Sequence, residues 1–524
     1  MPTLEWIGKD KVVNHHQQVP YKTLVPQYTF NAEHSDNMII KGDNLEALKA
    51  LLPRFEGKIK CIYIDPPYNT GNEGWVYNDN VNDPKIRKWL GEVVGKEGED
   101  LSRHDKWLCM MYPRLKLLQR LLSRDGVIFI SIDEIEHRFL ELLMDEIFGS
   151  QNRIDTFIWQ NNYGGGAKSN YVVHLHEYVL CFAKDIQNVG KIELPPDDNV
   201  LKYYKYRDEK YEQRGPYRLQ PLATTSMDTR PNLRYPLIYE GQEVWPEKQW
   251  MWSKERAVLA QEKDELVFSN HHGKWTVNYK QYLNGEDGTQ RKSKPYSIIT
   301  GLYTQAGTKA IKEIMGNGKA FDFPKPPELI QLFVQMITKG DDIILDSFAG
   351  SGTTAHAVLN MNKADGGNRR FILVEMMDYA DSITAERVKR VINGYGEGKK
   401  AVEGTGGDFT FFELGVPLLT ADGNINEEVD VKDLREYIWY METHAPLQTI
   451  AAQDAYYLGT NDSTAYYFCY EKDSIVTLDM DLLATVTIKA ESYVMYADQC
   501  GLSDEELKRF GITFRKIPRD IAKL

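Results

Sequence analysis

The chain has 524 residues, is 42% apolar and 27% charged, and carries a net charge of −13 at neutral pH. Its length exceeds what one core serves and predicts two to four domains of ordinary globular composition. No run of about 18 apolar residues exists, so no membrane span is expected. The polar start MPTLEWIGKDKVVNHH predicts no leader peptide, and five scattered cysteines predict neither a disulfide framework nor a zinc site, as in a reducing cytoplasm. The charge is uneven: residues 401–524 hold 10 Lys+Arg against 22 Asp+Glu, whereas residues 201–300 hold 17 against 13. The acidic end should repel phosphate, and the central region is free to bind it.

In chain order, residues 1–35 read as polar and irregular. MIIKGDNLEALKALL then predicts strand, turn at Gly42-Asp43, and a helix capped near Asp43 or Asn44. An apolar run, Cys61 to Ile64, must end as a strand at Pro66-Pro67, which lack N–H donors. Residues 70–100 read as a mobile loop. A long helix over 103–123, a buried strand opening at Gly126, a helix over 136–148 and a strand pair (IDTFIWQ, EYVLCFAK) complete a first α/β block. The glycine run after Asn161-Asn162-Tyr163 reads as a flexible loop that could line a substrate groove. The rhythm fades over 190–315 and returns at Pro326-Pro327 with helix, strand, glycine loop, helix, strand and helix. Gly394–Gly407 reads as a linker to a small, separate, acidic α/β unit. The predicted divisions are 1–190, 191–315, 316–400 and 408–524.

Two motifs carry chemistry. Phe348-Ala349-Gly350-Ser351-Gly352-Thr353 joins a strand to a helix, and its glycines let the backbone turn tightly against a ligand that meets helix N–H groups. It is neither a P-loop nor a complete Rossmann fingerprint. Glu375 ends the next strand, where a carboxylate suits ribose hydroxyls. Asp65-Pro66-Pro67-Tyr68 follows a buried strand. An amino group on a planar ring is a poor nucleophile because its lone pair is delocalised. The Asp65 carboxylate and Pro66 carbonyl can accept its two N–H bonds and favour a tetrahedral nitrogen. Tyr68 offers a stacking face, worth roughly 1–3 kcal/mol, toward the cost of extruding a base. Between the motifs, residues 201–300 interleave 15 aromatics with basic residues, among them Lys202, Lys205, Arg207, Arg214, Arg218, Arg230, Arg234, Arg291, Lys292 and Lys294. That pattern predicts a DNA-contacting region, with most tryptophans in its core. His174 and His176 lack a third ligand at metal spacing, so no metal site is predicted.

These motifs resemble those of the amino-methyltransferases of DNA. The DPPY motif precedes FAGSGT by about 280 residues, an order similar to the beta group, whose target-recognition region separates the two halves. Asp43 in GDNLEAL resembles the acidic position that contacts the cofactor adenine. Lys325 in FPKPPELI resembles the lysine motif lining the cofactor's methionine end. The opening PTLEWIGKDKV, DPPYNTGNEGWVYND and FAGSGTTAHAVL look like modification subunits of type III restriction systems, over roughly residues 1–400. The resemblance implies one doubly wound, Rossmann-like methyltransferase sheet with an inserted target-recognition domain and a small α/β C-terminal domain. It implies transfer from S-adenosylmethionine to N6 of a flipped adenine, with Asp65, Pro66 and Tyr68 catalytic and Asp43, Lys325, Phe348, Gly350, Gly352, Thr353 and Glu375 binding cofactor. Double-stranded DNA, a second copy of the chain and an ATP-dependent restriction subunit are the implied partners, the acidic C-terminal unit serving protein contacts. Cytosine N4 is the rival target, and a non-catalytic specificity subunit the rival role.

Overall fold

A computed structural model describes residues 3–69, 103–164, 171–196, 198–448 and 454–519. The predicted loop over 70–100 and the glycine run 165–170 lie outside the described residues. The chain divides into two units, residues 1–191 with 296–524, and residues 192–295.

The first unit is built on one ten-stranded sheet. Its strands are β1 (Lys22–Phe30), β2 (Met38–Lys41), β3 (Ile59–Ile64), β4 (Leu122–Ile132), β5 (Arg153–Gln160), β6 (His176–Ala183), β7 (Ile298–Ile299), β8 (Ile343–Asp346), β9 (Arg370–Glu375) and β10 (Phe409–Pro417). They lie in the order β1-β10-β2-β9-β8-β3-β4-β6-β5-β7. Neighbours from β10 through β4 are parallel, and β6 runs antiparallel between β4 and β5. The central strands read as unbroken apolar runs because both faces are covered: Ile62, Ile64, Ile344 and Leu345 have no exposed surface. The helices are α1 (Asn44–Phe55), α2 (Arg103–Leu121), α3 (His137–Phe148), α4 (Thr304–Met315), α5 (Pro327–Ile337), α6 (Thr353–Asp365) and α7 (Glu386–Asn393). From β8 the chain turns through α6 to β9 on one side; from β3 it passes to β4 on the other. The carboxyl ends of β8 and β3 therefore flank the point where winding reverses, the usual crevice for ligands in such sheets.

Four expectations need correction. Residues 1–35 are not wholly irregular: Lys22–Phe30 pairs antiparallel with Phe409–Pro417 at the sheet edge, where Pro26 is tolerated. The insert ends at Pro295 rather than 315, since Ile298 and Ile299 pair with Ile158 and Trp159 of β5. Gly394–Gly407 is no open linker. Gly394-Tyr395 pairs with Val402-Glu403, and a Cβ at Gly404 would lie 2.3 Å from the Ile392 carbonyl oxygen. The segment after 408 is not separate either. Its first strand is β10, and helix Val431–Thr443 is tied to α1, with Arg54 bonded to Glu436 at 2.6 Å and Asp433 at 3.1 Å. A four-stranded sheet does form beyond it, including the predicted runs Thr464–Phe468 and Ser492–Ala497.

The second unit has its own core of Leu222, Tyr235, Leu237, Val244, Trp250, Leu266 and Val277, beneath a three-stranded antiparallel sheet. Trp250, Trp252 and Trp275 belong to this packing; Trp245 is half exposed. Two of its cations are structural: Arg214 is buried against Glu265 at 2.5 Å, and Lys280 bonds Asp208 at 3.0 Å. Lys205, Arg230, Arg234, Arg291, Lys292 and Lys294 are exposed and make no side-chain bond among the described residues.

Candidate active site

The two motifs end neighbouring strands. Ile344 and Leu345 of β8 pair with Cys61 and Ile62 of β3, so Phe348-Ala-Gly-Ser-Gly and Asp65-Pro-Pro-Tyr emerge side by side. The proline turn is clamped from behind. Trp107 of α2, fully buried, donates its indole N–H to the Pro67 carbonyl at 2.7 Å. Asn69 is buried with a left-handed backbone (φ 61°), and its amide donates to Glu136 at 2.5 Å. Asparagine tolerates that conformation better than most residues. Among the described residues, no group donates to the Pro66 carbonyl.

The ammonium of Lys325, just before α5, reaches DPPY itself. It donates to both Asp65 oxygens at 2.8 and 2.7 Å and to the Tyr68 hydroxyl at 2.8 Å. Tyr68 in turn donates to Glu177 of β6 at 2.9 Å, and Glu177 Oε2 lies 3.6 Å from the ammonium. The other Glu177 oxygen accepts from Asn161 at 2.8 Å. Burial pushes the Tyr68 hydroxyl far above the ordinary phenol range, so it remains a proton donor.

The glycine loop is equally fixed. Gly350 (φ 51°) and Gly352 (φ 78°) are left-handed. The Gly350 N–H donates to Glu375 Oε2 at 2.8 Å, and the Met377 N–H donates to Oε1 at 3.0 Å. Burial raises the Glu375 carboxyl to about 7, against the opposing pull of those backbone donors. Asp346 is likewise raised to about 7 by burial, while Thr354 and the Phe348 N–H bond it. Arg387 of α7, with no exposed surface, donates to the hydroxyls of Ser351 and Thr353, each at 2.7 Å. The third loop, Gly42-Asp43-Asn44, closes on the same ends: the Gly42 N–H donates to the Glu375 carbonyl at 3.0 Å, and the Asn44 amide to the Ser347 carbonyl at 3.3 Å. Asp43 caps α1 and pairs with buried Arg114 at 3.2 Å.

Asp65, Pro66, Tyr68 and Lys325 thus form one cluster, while Phe348, Gly350, Gly352, Thr353, Glu375 and the Asp43 turn form the adjoining one. Glu177, Asn44, Arg114, Trp107, Glu136 and Arg387 are not among the site residues expected from sequence. Glu177 and Arg387 sit within apolar-periodic elements where single charges resemble solvated positions; only tertiary packing turns them inward.

Residues 59–386 match the N6/N4 methyltransferase family model, described as DNA methylase. The chain belongs to this DNA methylase family. The chain is 32% identical over 422 residues to the Mod subunit of the type III restriction-modification enzyme StyLTI of Salmonella typhimurium, a match covering 74% of this chain and 62% of that protein. It is 33% identical over 420 residues to the EcoPI Mod subunit of Escherichia phage P1, covering 71% of this chain and 63% of that one. It is 32% identical over 386 residues to the type II methyltransferase M.KpnI of Klebsiella pneumoniae, covering 67% and 85% respectively. The chain thus spans less than two thirds of the length of those two Mod subunits. Among its described residues, no helix is long and apolar enough to cross a membrane.

Proposed function

We propose that the methylase transfers a methyl group from S-adenosylmethionine to the N6 amino group of adenine in double-stranded DNA. The juxtaposition of Asp65 and the glycine loop on adjacent parallel strands carries this reading. The residues present fit the cofactor: a buried carboxylate, Glu375, stands at the loop, left-handed glycines turn the backbone tightly beside it, and α6 begins directly after it. Glu375 would accept from ribose hydroxyls, the Asp43 turn would border the adenine, and Phe348, Gly350, Gly352, Thr353 and Lys325 would line the remainder. When bound, the cofactor supplies an electrophilic methyl carbon. Asp65 and the Pro66 carbonyl accept the two N–H bonds of the target amine and localise its lone pair, and the ring of Tyr68 stacks on the extruded base.

The unit 192–295 acts as the target-recognition domain, with exposed cations such as Lys205, Arg230, Arg234, Arg291, Lys292 and Lys294 facing phosphate. The names of the relatives support a role as the modification subunit of a type III restriction-modification system; we propose that it works as a homodimer beside an ATP-dependent restriction subunit. The acidic region beyond Pro417 serves those protein contacts.

Incubating the pure protein with unmethylated DNA and S-adenosylmethionine, followed by nucleoside mass spectrometry, should yield N6-methyldeoxyadenosine. N4-methyldeoxycytidine alone would move the reading to the rival base, and neither product would overturn it. The Glu375 reading also predicts a pH dependence. The ionised carboxylate is the better acceptor, and its fraction rises as pH passes about 7. Affinity for S-adenosylhomocysteine should therefore increase about tenfold from pH 6 to pH 8 and level off above it. Titration calorimetry of Glu375→Gln should give a weaker, flat profile.

A further inference from the structure

Both oxygens of Asp65 are engaged by an N–H donor that belongs to the protein. The Lys325 ammonium lies 2.8 and 2.7 Å from them, the place the target amine needs. The ammonium competes with that amine for the same two oxygens, so Asp65 serves the amine fully only as the ammonium moves. An ammonium with 10% side-chain exposure leaves a carboxylate at great cost unless another takes its charge. Glu177 supplies one. It lies 3.6 Å from the same nitrogen, and its other oxygen is held by Asn161. The Tyr68 hydroxyl bonds both Lys325 and Glu177, so a shift of roughly an ångström, within ordinary hydrogen-bond lengths, transfers the ammonium from one carboxylate to the other without breaking its bond to Tyr68.

We propose that Glu177 is a positioning residue: it is the alternative counter-ion that draws Lys325 off Asp65 as the target amine enters. This rests on the methyl-transfer reading. The two carboxylates then divide the work. Asp65 faces the substrate, and Glu177 keeps the lysine charged, close and out of the way. Glutamine at 177 would still accept from Asn161 and would donate its amide N–H to the Tyr68 hydroxyl oxygen, but it carries no charge, leaving Lys325 on Asp65.

The test is a double-mutant cycle between Glu177→Gln and Lys325→Met. Two readouts are used on the full chain: kcat for DNA methylation, and fluorescence of 2-aminopurine at the methylated position, previously located by sequencing, in the complex with S-adenosylhomocysteine. Glu177→Gln alone should lower kcat at least tenfold and reduce the fluorescence gain, with KM for DNA and Kd for S-adenosylhomocysteine changed less than threefold. In the Lys325→Met background the same substitution should change the fluorescence less than twofold, because nothing remains to be drawn away. Glu177→Asp should recover part of kcat. Equal effects of Glu177→Gln in both backgrounds, or none in the first, would overturn the role of Glu177 while leaving methyl transfer intact. A wild-type protein that methylates no DNA would instead bring down the underlying reading.

Discussion

Replacing Asp65 by alanine should lower kcat for methyl transfer by at least about a thousandfold, while S-adenosylhomocysteine binds within about threefold of wild type. The magnitude follows from the chemistry. A ring-bound amine attacks poorly until its N–H bonds are taken by acceptors, and removing one such preorganised partner in a water-poor site typically costs about 10²–10³ in kcat. The loss is greater here because Asp65 is the charged member of the pair, with only the neutral Pro66 carbonyl remaining. The fold should tolerate the change. Lys325 keeps Glu177 3.6 Å away and the Tyr68 hydroxyl at 2.8 Å, and the proline turn is still held by Trp107 through the Pro67 carbonyl. Cofactor binding should persist because the loop after β8 is anchored by Glu375, Thr384 and Arg387, none of which bonds Asp65. Rate measurement with labelled cofactor beside calorimetry decides it, and more than a tenth of wild-type activity in the variant would sink the catalytic assignment.

Gly352→Val should weaken S-adenosylhomocysteine at least about thirtyfold. The backbone at Gly352 has φ 78° and ψ 29°, a left-handed conformation that costs an L-residue about 1–2 kcal/mol and a β-branched one more. Space adds to the penalty. A Cβ there would stand 3.1 Å from the Thr384 carbonyl oxygen and 3.3 Å from its methyl group. Thr384 cannot retreat freely, since its hydroxyl donates to the Gly350 carbonyl at 2.6 Å. Valine must therefore unwind the loop or displace the turn that braces it, and about 2 kcal/mol corresponds to the stated loss of affinity. The sheet itself should survive, because strand pairing ends at Asp346, before the loop. Calorimetry and thermal melting separate the two effects; unchanged affinity would show that the loop does not contact the cofactor.

The local text of the chain was informative wherever one segment contains its own reason. Asp65-Pro66-Pro67 ends a strand whatever surrounds it, and Asp43 caps the helix after it, as expected from GDNLEAL. Pro327 opens α5 as its missing N–H allows. The text misled where the reason lies elsewhere in the chain. KTLVPQYTF reads as irregular because Pro26 interrupts it, yet it is a strand because Phe409–Pro417 arrives to pair with it. The glycines of 394–407 suggest slack, but Gly404 is there because no side chain fits against the Ile392 carbonyl.

By itself, then, the sequence determined the chemistry on offer: acceptors for an amine at Asp65 and Pro66, a glycine turn at Gly350 and Gly352, a carboxylate at Glu375. These are local properties of residue type and immediate spacing. Only the tertiary structure decided which of them meet. The pairing of β8 with β3 joins segments about 280 residues apart, and the packing of β6 and α5 brings Glu177 and Asp65 within reach of one ammonium. A charge is legible in a sequence, but the partner that balances it is fixed by contacts between distant elements.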